Sequence, residues 1–426
     1  MVTIALPAQK PAFLDILSIR PFRILWFSNG LTFMGIRIQD MAVAWLVLEM
    51  TGSKLWVGIV NGLPALAIIL FSLMGGVLAD RSDKRSLLSW SRMTLAGLMF
   101  LMAFLITTGA IGIWQLMVIV FVAAGVYGAD MPISRTLIFD YVGRERLLSA
   151  ISLNSLIMDV GAIAGPLVAG MLIADAGVDA ALYLLGAAYL TAFAVLAFRR
   201  PSATPSNHAR RQVIGDLVDG FRYLRRTPSV AWLVSLGATV PLAGIFFSMM
   251  PIYARDVLNA GAGGLGMLIA AYGVGALVAS ITMTMQGKIN RVGRVVVWSA
   301  TLYGAGMLAF GFARDFEMAV ASVFVLGVAS TYWKNATGSI VQTSVAEEMR
   351  GRVMSVFGMG AQMLALGWLI GGALSTVIGN QATLVIAGGL MAAFNIYVYT
   401  RAPQMRRSDQ TQEAGNTAAI GTVDGR

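Results

Sequence analysis

The sequence predicts an all-α membrane protein with twelve transmembrane helices in two six-helix pseudo-repeats and both termini in the cytoplasm. The 426-residue chain is 57% hydrophobic and 12% charged, whereas about 25% of the residues in a soluble domain are charged. Apolar runs of about 20 residues, enough to cross ~30 Å of hydrocarbon, recur along its length. An even number of such runs places both termini on one side of the membrane.

Twelve apolar segments are the predicted spans. They are 22–48, 54–78, 86–108, 113–138, 149–174 and 179–198 in the first half, and 230–254, 262–286, 295–313, 317–342, 352–377 and 381–400 in the second. They define an N-terminal bundle at 22–198 and a C-terminal bundle at 230–400. A cytoplasmic segment at 1–21 contains a short surface helix, FLDILSIR (13–20). A linker at 199–229 contains an amphipathic helix (213–226), and a polar tail at 401–426 is expected to be disordered.

The basic residues orient the bundle. Most of the 31 Lys and Arg residues lie in the two terminal segments and in the loops near 80, 145, 210, 290 and 350, while the opposite loops hold only Lys54, Arg255 and Arg314. Because cytoplasmic loops collect Lys and Arg, both termini are predicted to be cytoplasmic. The basic cytoplasmic loops then explain the net charge of +10, and binding to nucleic acid is not needed to account for it.

Composition also excludes several kinds of chemistry. The chain has no cysteine, and its single histidine, His208, lies in the linker. Disulfides, thiolate metal sites and histidine-based catalysis are therefore not expected. No GxxxxGK[ST] phosphate loop occurs, which argues against an ATP-driven pump. We expect no enzyme activity, metal or cofactor.

The two halves share landmarks in the same order. GVLADRSDKR (76–85) aligns with QGKINRVGRV (286–295), and GRERLLSA (143–150) aligns with MRGRVMSV (349–356). Parallel repeats with a site near the membrane midplane suit alternating access.

A dense cluster of charge lies between the second and third spans, in GGVLADRSDKR (75–85). Asp83 can cap the start of the third span. Arg81, Lys84 and Arg85 can reach acidic groups or free carbonyls at other helix ends. A topology anchor with helix caps explains this loop as well as a functional role does.

This loop resembles the signature loop of the major facilitator superfamily, and the resemblance extends over roughly residues 20 to 400. The chain is most similar to the branch of bacterial efflux permeases that contains the enterobactin exporter. The matching segments are FRILW (22–26), TGSKLWVG (51–58), the signature loop, GRERLLSA (143–150), GAIAGPLVAG (161–170) and DGFRYLRRTP (219–228).

The resemblance implies a cytoplasmic gating loop. Its residues are Gly76, Asp80, Arg81, Lys84 and Arg85. Asp80 takes the family role of bridging to neighbouring helix ends and stabilising one access state. The second-half copy has Asn290 at the equivalent position, which puts a matching latch there in doubt.

GAIAGPLVAG resembles the span 5 motif associated with exporters of the superfamily. Gly161, Gly165 and Gly170 form a strip suited to close packing, and Pro166 removes one backbone hydrogen bond. A bend that seals one end of the pathway and ordinary small-residue packing both fit this motif.

Ionisable residues inside spans are costly and therefore candidate functional groups. Arg37 and Asp40 share a face of the first span, as an ion pair or as part of a substrate site. The resemblance implies that the first, fourth, seventh and tenth spans line a central cavity. Asp130 and Lys334 occupy similar depths in the fourth and tenth spans, and we expect them to oppose each other across it. The alternative for Lys334 is that it snorkels to the surface.

Two further deep residues complete the candidate set. Asp159 in the fifth span is a proton site or an ion-pair partner of Arg37 or Arg135. Trp333 is a candidate for stacking on substrate, although packing is the commoner role of a deep aromatic side chain.

The sequence therefore suggests a monomeric secondary transporter, multi-pass in the inner membrane, that exports a small organic molecule in exchange for protons. A siderophore or an amphipathic drug-like compound is the expected substrate, and Asp130, then Asp40, is the expected proton carrier. The alternatives are a nutrient importer or a lysolipid flippase of the same fold, and a membrane-embedded enzyme or receptor.

Overall fold

A computed structural model of the chain describes residues 12–81, 83–197, 213–286, 291–402 and 405. Side chains are described throughout these ranges except at 12–14, 73–81, 213–214, 216–217 and 361–362. Residues 1–11, His208 with most of the predicted linker, Asn290, and most of the predicted tail lie outside the described part.

The described residues of the first half form six helices. They are α1 (Ala12–Ser18), α2 (Arg20–Thr51), α3 (Lys54–Arg81), α4 (Lys84–Thr107), α5 (Ile113–Ala176) and α6 (Val178–Ala197). At ~1.5 Å per residue, the 64 residues of α5 extend about three times the ~30 Å of a bilayer core. The helix is broken at Gly143, where φ is 71° and ψ is 178°, so that it supplies the predicted fourth and fifth spans.

The second half begins with the amphipathic helix α7 (Val213–Arg226) and then forms the other six spans. They comprise α8 (Pro228–Ser235), a 3₁₀ turn (Leu236–Thr239), α9 (Val240–Ile252), a π-helical turn (Tyr253–Val257), α10 (Gly261–Gln286), α11 (Val292–Phe312), α12 (Phe316–Ser344), α13 (Glu347–Gln362), α14 (Leu364–Val377) and α15 (Asn380–Arg401). The stretch from α8 to the π-helical turn forms one span, and α13 with α14 forms another.

Eleven helical stretches in the described part are long and apolar enough to cross a membrane. One of them is the whole of α5, which holds two predicted spans. The all-α class and the twelve-span prediction are therefore confirmed, with span ends displaced by only a few residues. The short helix expected at 13–20 and the amphipathic helix expected at 213–226 are also present, as α1 and α7.

The helices divide into two compact units. One comprises the described residues of Met1–Ala42 and Leu66–His208, and the other those of Val43–Ala65 and Ala209–Arg426. In the first unit α4 packs against α5 and α6. Its core near the start of α2 includes Phe22, Leu88, Leu137, Leu153 and Leu196, all buried.

The second unit includes the end of α2 and the start of α3. Lys54 Nζ donates to Asn380 Oδ1 at 2.8 Å, and Arg255 Nη1 donates to the Leu48 carbonyl at 2.5 Å. A Cβ on Gly58 would collide with the backbone of Trp368 on α14. Small residues thus let α3 approach α14 closely, which adds residues 43–65 to this unit.

Candidate functional site: a polar cavity in the first unit

A cavity of about 490 Å³ lies among α2, α4 and the two parts of α5. Its lining residues are Asn29, Thr32, Phe33, Arg92, Tyr127, Asp130, Met131, Ser134, Arg135, Ile138, Phe139, Leu147, Ile151, Asn154, Ser155 and Met158. All of them belong to the first unit. Aromatic and aliphatic walls with a few convergent polar groups are typical of a small-molecule site.

An ion pair between Arg92 and Asp130 lies in this cavity wall. Arg92 Nη1 donates to Asp130 Oδ2, and the two side chains are 1% and 3% exposed. Two more of their polar atoms, Arg92 Nε and Asp130 Oδ1, are buried and have no hydrogen-bond partner in the described part of the chain. The pair therefore has an unused donor group at Arg92 Nε and an unused acceptor atom at Asp130 Oδ1.

Asn29 links this pair to both parts of α5. Arg92 Nη2 donates to Asn29 Oδ1 at 3.2 Å. Asn29 Nδ2 in turn donates to Ser134 Oγ at 2.8 Å and to Asn154 Oδ1 at 3.3 Å. A continuous polar network thus connects α2, α4 and α5.

The network lies well inside the predicted bilayer. Asn29, Arg92 and Asp130 are roughly 12 to 20 Å along their helices from Arg20, Lys84 and Gly143, the ends predicted to be cytoplasmic, at ~1.5 Å per residue. Half the thickness of a ~30 Å hydrocarbon core is about 15 Å. The charged pair is therefore close to the predicted midplane.

Arg92 is one of the site residues that the sequence analysis did not assign, together with Asn29, Ser134 and Asn154. We expected Asp130 to oppose Lys334, but its ion-pair partner in the structure is Arg92 on α4. A basic residue in an otherwise apolar span is itself a signal. Its partner could not be predicted, because the contact depends on how α4 and α5 are rotated about their axes.

The other predicted pair forms on α2. Arg37 Nη1 lies 3.1 Å from Asp40 Oδ2, with the side chains 39% and 50% exposed. The Arg37 guanidinium stacks over the Phe33 ring at 5.1 Å. Neither charged residue lines the cavity, so the structure supports the ion pair predicted for them but does not place them in this site.

Three predicted site residues lie elsewhere. Asp159 on α5 is exposed and does not line the cavity. On α12, Lys334 is exposed, while Trp333 is 8% exposed and donates from Nε1 to Asn395 Oδ1 at 2.9 Å. Trp333 is thus held by packing and a hydrogen bond to α15, and its stacking role stays a prediction.

Lys84 and Arg85 in the signature loop make contacts of the kinds expected of them, and Asp83 caps a helix as expected. Asp83 caps α4 by accepting from the Ser86 backbone N–H at 3.0 Å. Lys84 Nζ donates to Asp140 Oδ2 at 2.7 Å, and Arg85 Nε donates to the Leu196 carbonyl at 3.0 Å, near the end of α6.

The gating role of this loop remains a prediction. The side chains of Asp80 and Arg81 are outside the described part, so their predicted contacts are not seen, and only the place of Gly76 in α3 is described.

Gly161 and Gly165 of the span 5 strip pack closely against α2. A Cβ on Gly161 would lie 3.2 Å from the Met34 nitrogen, and one on Gly165 would lie 2.9 Å from the Met34 oxygen and 3.0 Å from Arg37 Cβ. Gly165, Pro166 and Gly170 are all buried. Whether Pro166 seals a pathway stays a prediction.

Among the described residues, no group of three or more His, Cys, Asp or Glu side chains is arranged to hold a metal ion.

Sequence comparison gives one matching family and two similar proteins that we describe here. Residues 13–419 match the family described as "Transmembrane secretion effector". The chain is similar to the enterobactin exporter EntS of Shigella boydii serotype 18, with 27% identity over 389 residues that cover 87% of this chain and 88% of the relative. It is likewise similar to the enterobactin exporter EntS of Escherichia coli O1:K1, with 26% identity over 384 residues and the same shares of both chains.

Structure comparison gives transporters of the same fold. A bacterial homologue of the human lysosomal transporter Spinster, in an inward-facing and unoccupied conformation, has a TM-score of 0.69 at 15% identity and covers 96% of this chain and 99% of its own. The nucleoside transporter NupG has a TM-score of 0.70 at 14% identity, with 89% and 98% covered. At these identities the likeness concerns the fold alone.

Proposed function

Because the chain belongs to the transmembrane secretion effector family of major facilitator transporters, we propose that it exports a small organic molecule in exchange for protons. It is a multi-pass membrane transporter and not an enzyme. The substrate class we propose is a siderophore or an amphipathic drug-like compound, and the location is the inner membrane. We propose that it acts as a monomer by alternating access.

Two observations support this substrate class. The similar curated proteins are named enterobactin exporters. The cavity of about 490 Å³ is in the range of about 300–1,000 Å³ that holds small ligands. Phe33, Tyr127 and Phe139 offer aromatic surface, and Asn154 and Ser155 offer hydrogen bonds. An amphipathic organic molecule matches this mixture.

The buried Arg92–Asp130 pair is the observation that carries the proposal of proton exchange. Asp130 Oδ1 has no hydrogen-bond partner among the described residues, while Oδ2 faces Arg92. A substrate hydroxyl that donates to Asp130 favours the ionised carboxylate. A proton on Oδ1 neutralises the carboxylate and places a donor where the substrate hydroxyl would donate, which weakens that contact. Substrate and proton then compete for one group, as an exchanger requires.

Asp40 is the second candidate for the proton. Its carboxylate is half-exposed and pairs with Arg37 outside the cavity. A proton there would be separated from bound substrate, so that exchange would depend on a conformational link between the two sites. Asp130 is the simpler carrier.

Everted membrane vesicles test the direction and the coupling together. With an acidic interior, we expect the wild-type chain to accumulate enterobactin or ethidium, and Asp130→Asn to lose this gradient-driven accumulation. Downhill exchange of the same compound should persist in Asp130→Asn, because the amide keeps an acceptor oxygen for substrate and Arg92 but does not take up the proton. Asp40→Asn is the matched variant and should keep at least half of the wild-type accumulation.

Two results would contradict this function. Full accumulation in both variants would exclude both carboxylates as coupling groups. A gradient that drives the compounds out of everted vesicles would indicate import, and movement of a fluorescent lysolipid alone would indicate a flippase.

A further inference from the structure

Asn29 uses its whole amide group in the network beside the cavity. Its Oδ1 accepts from Arg92 at 3.2 Å, and its Nδ2 donates to Ser134 at 2.8 Å and to Asn154 at 3.3 Å. A side-chain amide carries two donor hydrogens and one acceptor oxygen. The two parts of α5 therefore fix the orientation of the amide and aim its oxygen at Arg92.

Arg92 needs an acceptor whatever the state of Asp130. Its guanidinium carries a positive charge, and the side chain is 1% exposed. A buried charge that loses its partner is strongly destabilising. Once Asp130 takes up a proton and becomes neutral, Asn29 Oδ1 is the other acceptor that the described residues place on this guanidinium.

We propose that Asn29 is a positioning residue that makes Asp130 able to accept a proton, by holding Arg92 while the carboxyl group is neutral. This inference rests on the proposed function, because it assumes that Asp130 is the coupling group. It adds a residue on α2 that determines the pH range in which the exchanger works.

Other charged or titratable groups also surround the pair. Tyr127 on α5 and Tyr189 on α6 are close enough to interact electrostatically with both Arg92 and Asp130. Arg37 and Asp40 on α2 act on Tyr127, and Arg135 lines the cavity. These groups are unchanged in the variants described below. They therefore influence the protonation midpoint of Asp130 in the wild type but not the shift of that midpoint between variants.

Infrared difference spectroscopy can follow the proton without a substrate. The purified full-length chain in lipid nanodiscs is titrated with acid, and the carbonyl band of a neutral carboxyl group that is missing in Asp130→Asn is assigned to Asp130. We expect Asn29→Leu to move the midpoint of this band to lower pH by about one unit. The free energy of one charge-assisted hydrogen bond to Arg92 corresponds to a shift of about that size. Asn29→Asp should move the midpoint for the first proton to higher pH, because a second carboxylate beside Arg92 favours proton uptake.

Thr32→Val is the matched control. Thr32 lies on the same helix and also lines the cavity, but its hydroxyl donates to the Ser28 carbonyl at 2.8 Å. The midpoint of the Asp130 band in Thr32→Val should equal that of the wild type. If Asn29→Leu does not fold, Asn29→Ala takes its place and should move the midpoint to lower pH in the same way.

The outcomes separate this inference from the proposed function. Equal midpoints in all folded variants, or shifts of Asn29→Leu and Asn29→Asp in the same direction, would overturn the role of Asn29 while Asp130 remains a proton site. The absence of any band lost in Asp130→Asn would overturn both proton uptake by Asp130 and the role of Asn29. Export itself is tested independently by the vesicle experiment.

Discussion

At the scale of single residues, the buried charges of Arg92 and Asp130 balance each other only while both side chains are present. Removing one side of such a buried pair costs about 3–5 kcal/mol, whereas replacing both sides with apolar residues is often neutral. We therefore expect Arg92→Leu to lower the free energy of unfolding strongly and the double variant Arg92→Leu, Asp130→Leu to recover most of the loss. Unfolding by SDS in mixed micelles, followed by circular dichroism, measures both.

The exposed pair on α7 is the control for this comparison. Arg222 and Asp219 lie 2.9 Å apart, with side chains 60% and 35% exposed. Arg222→Ala should cost at most about 1 kcal/mol, as exposed pairs usually do. Similar losses in Arg92→Leu and in the double variant would show that side-chain packing, and not the charge, determines the cost.

Single residues also show where prediction from sequence ends. The cap at Asp83 and the Arg37–Asp40 pair could be predicted because each depends on residues within one turn of helix. The partner of Asp130 could not, because Arg92 is on another helix whose rotation is set by packing. Hydropathy identifies a costly charge in a span, but the charge's neighbours are determined by tertiary structure.

At the scale of elements, α5 and α2 lie in close contact because Gly161 and Gly165 have no side chain that would hold the two helices apart. A Cβ on Gly165 would lie 2.9 Å from the Met34 carbonyl oxygen, which is shorter than normal contact between such atoms. We expect Gly165→Leu to abolish accumulation in everted vesicles and to reduce the yield of monodisperse protein in size-exclusion chromatography, because α5 must move away from α2.

Gly97 on α4 offers the matched control. A Cβ there would meet nothing within 4 Å, so Gly97→Leu should leave both the yield and the transport near wild-type values. Normal transport by Gly165→Leu would show that the two helices can separate without cost, and close packing would then not explain the glycine strip.

The ends of the helices could be predicted from the sequence, but the boundary between the two units could not. Apolar length located every span to within a few residues, and Gly143 separates the two parts of α5 because its positive φ suits glycine. The assignment of residues 43–65 to the second unit was not predictable, because it follows from how Gly58 meets α14 in three dimensions and not from order along the chain.

At the scale of the whole molecule, the orientation in the membrane is predicted by the distribution of Lys and Arg and can be tested directly. The chain has no cysteine, so that single introduced cysteines report their own positions in an unmodified background. Glu145 and Thr108 are exposed in the structure, and the charge rule places Glu145 in the cytoplasm and Thr108 outside. In intact spheroplasts, a membrane-impermeant maleimide should label Thr108→Cys and leave Glu145→Cys unlabelled until the cells are permeabilised. The cysteine-free parent sets the background. The opposite labelling pattern would invert the protein, place the Lys84–Asp140 contact outside, and remove the basis for assigning the signature loop to a cytoplasmic gate.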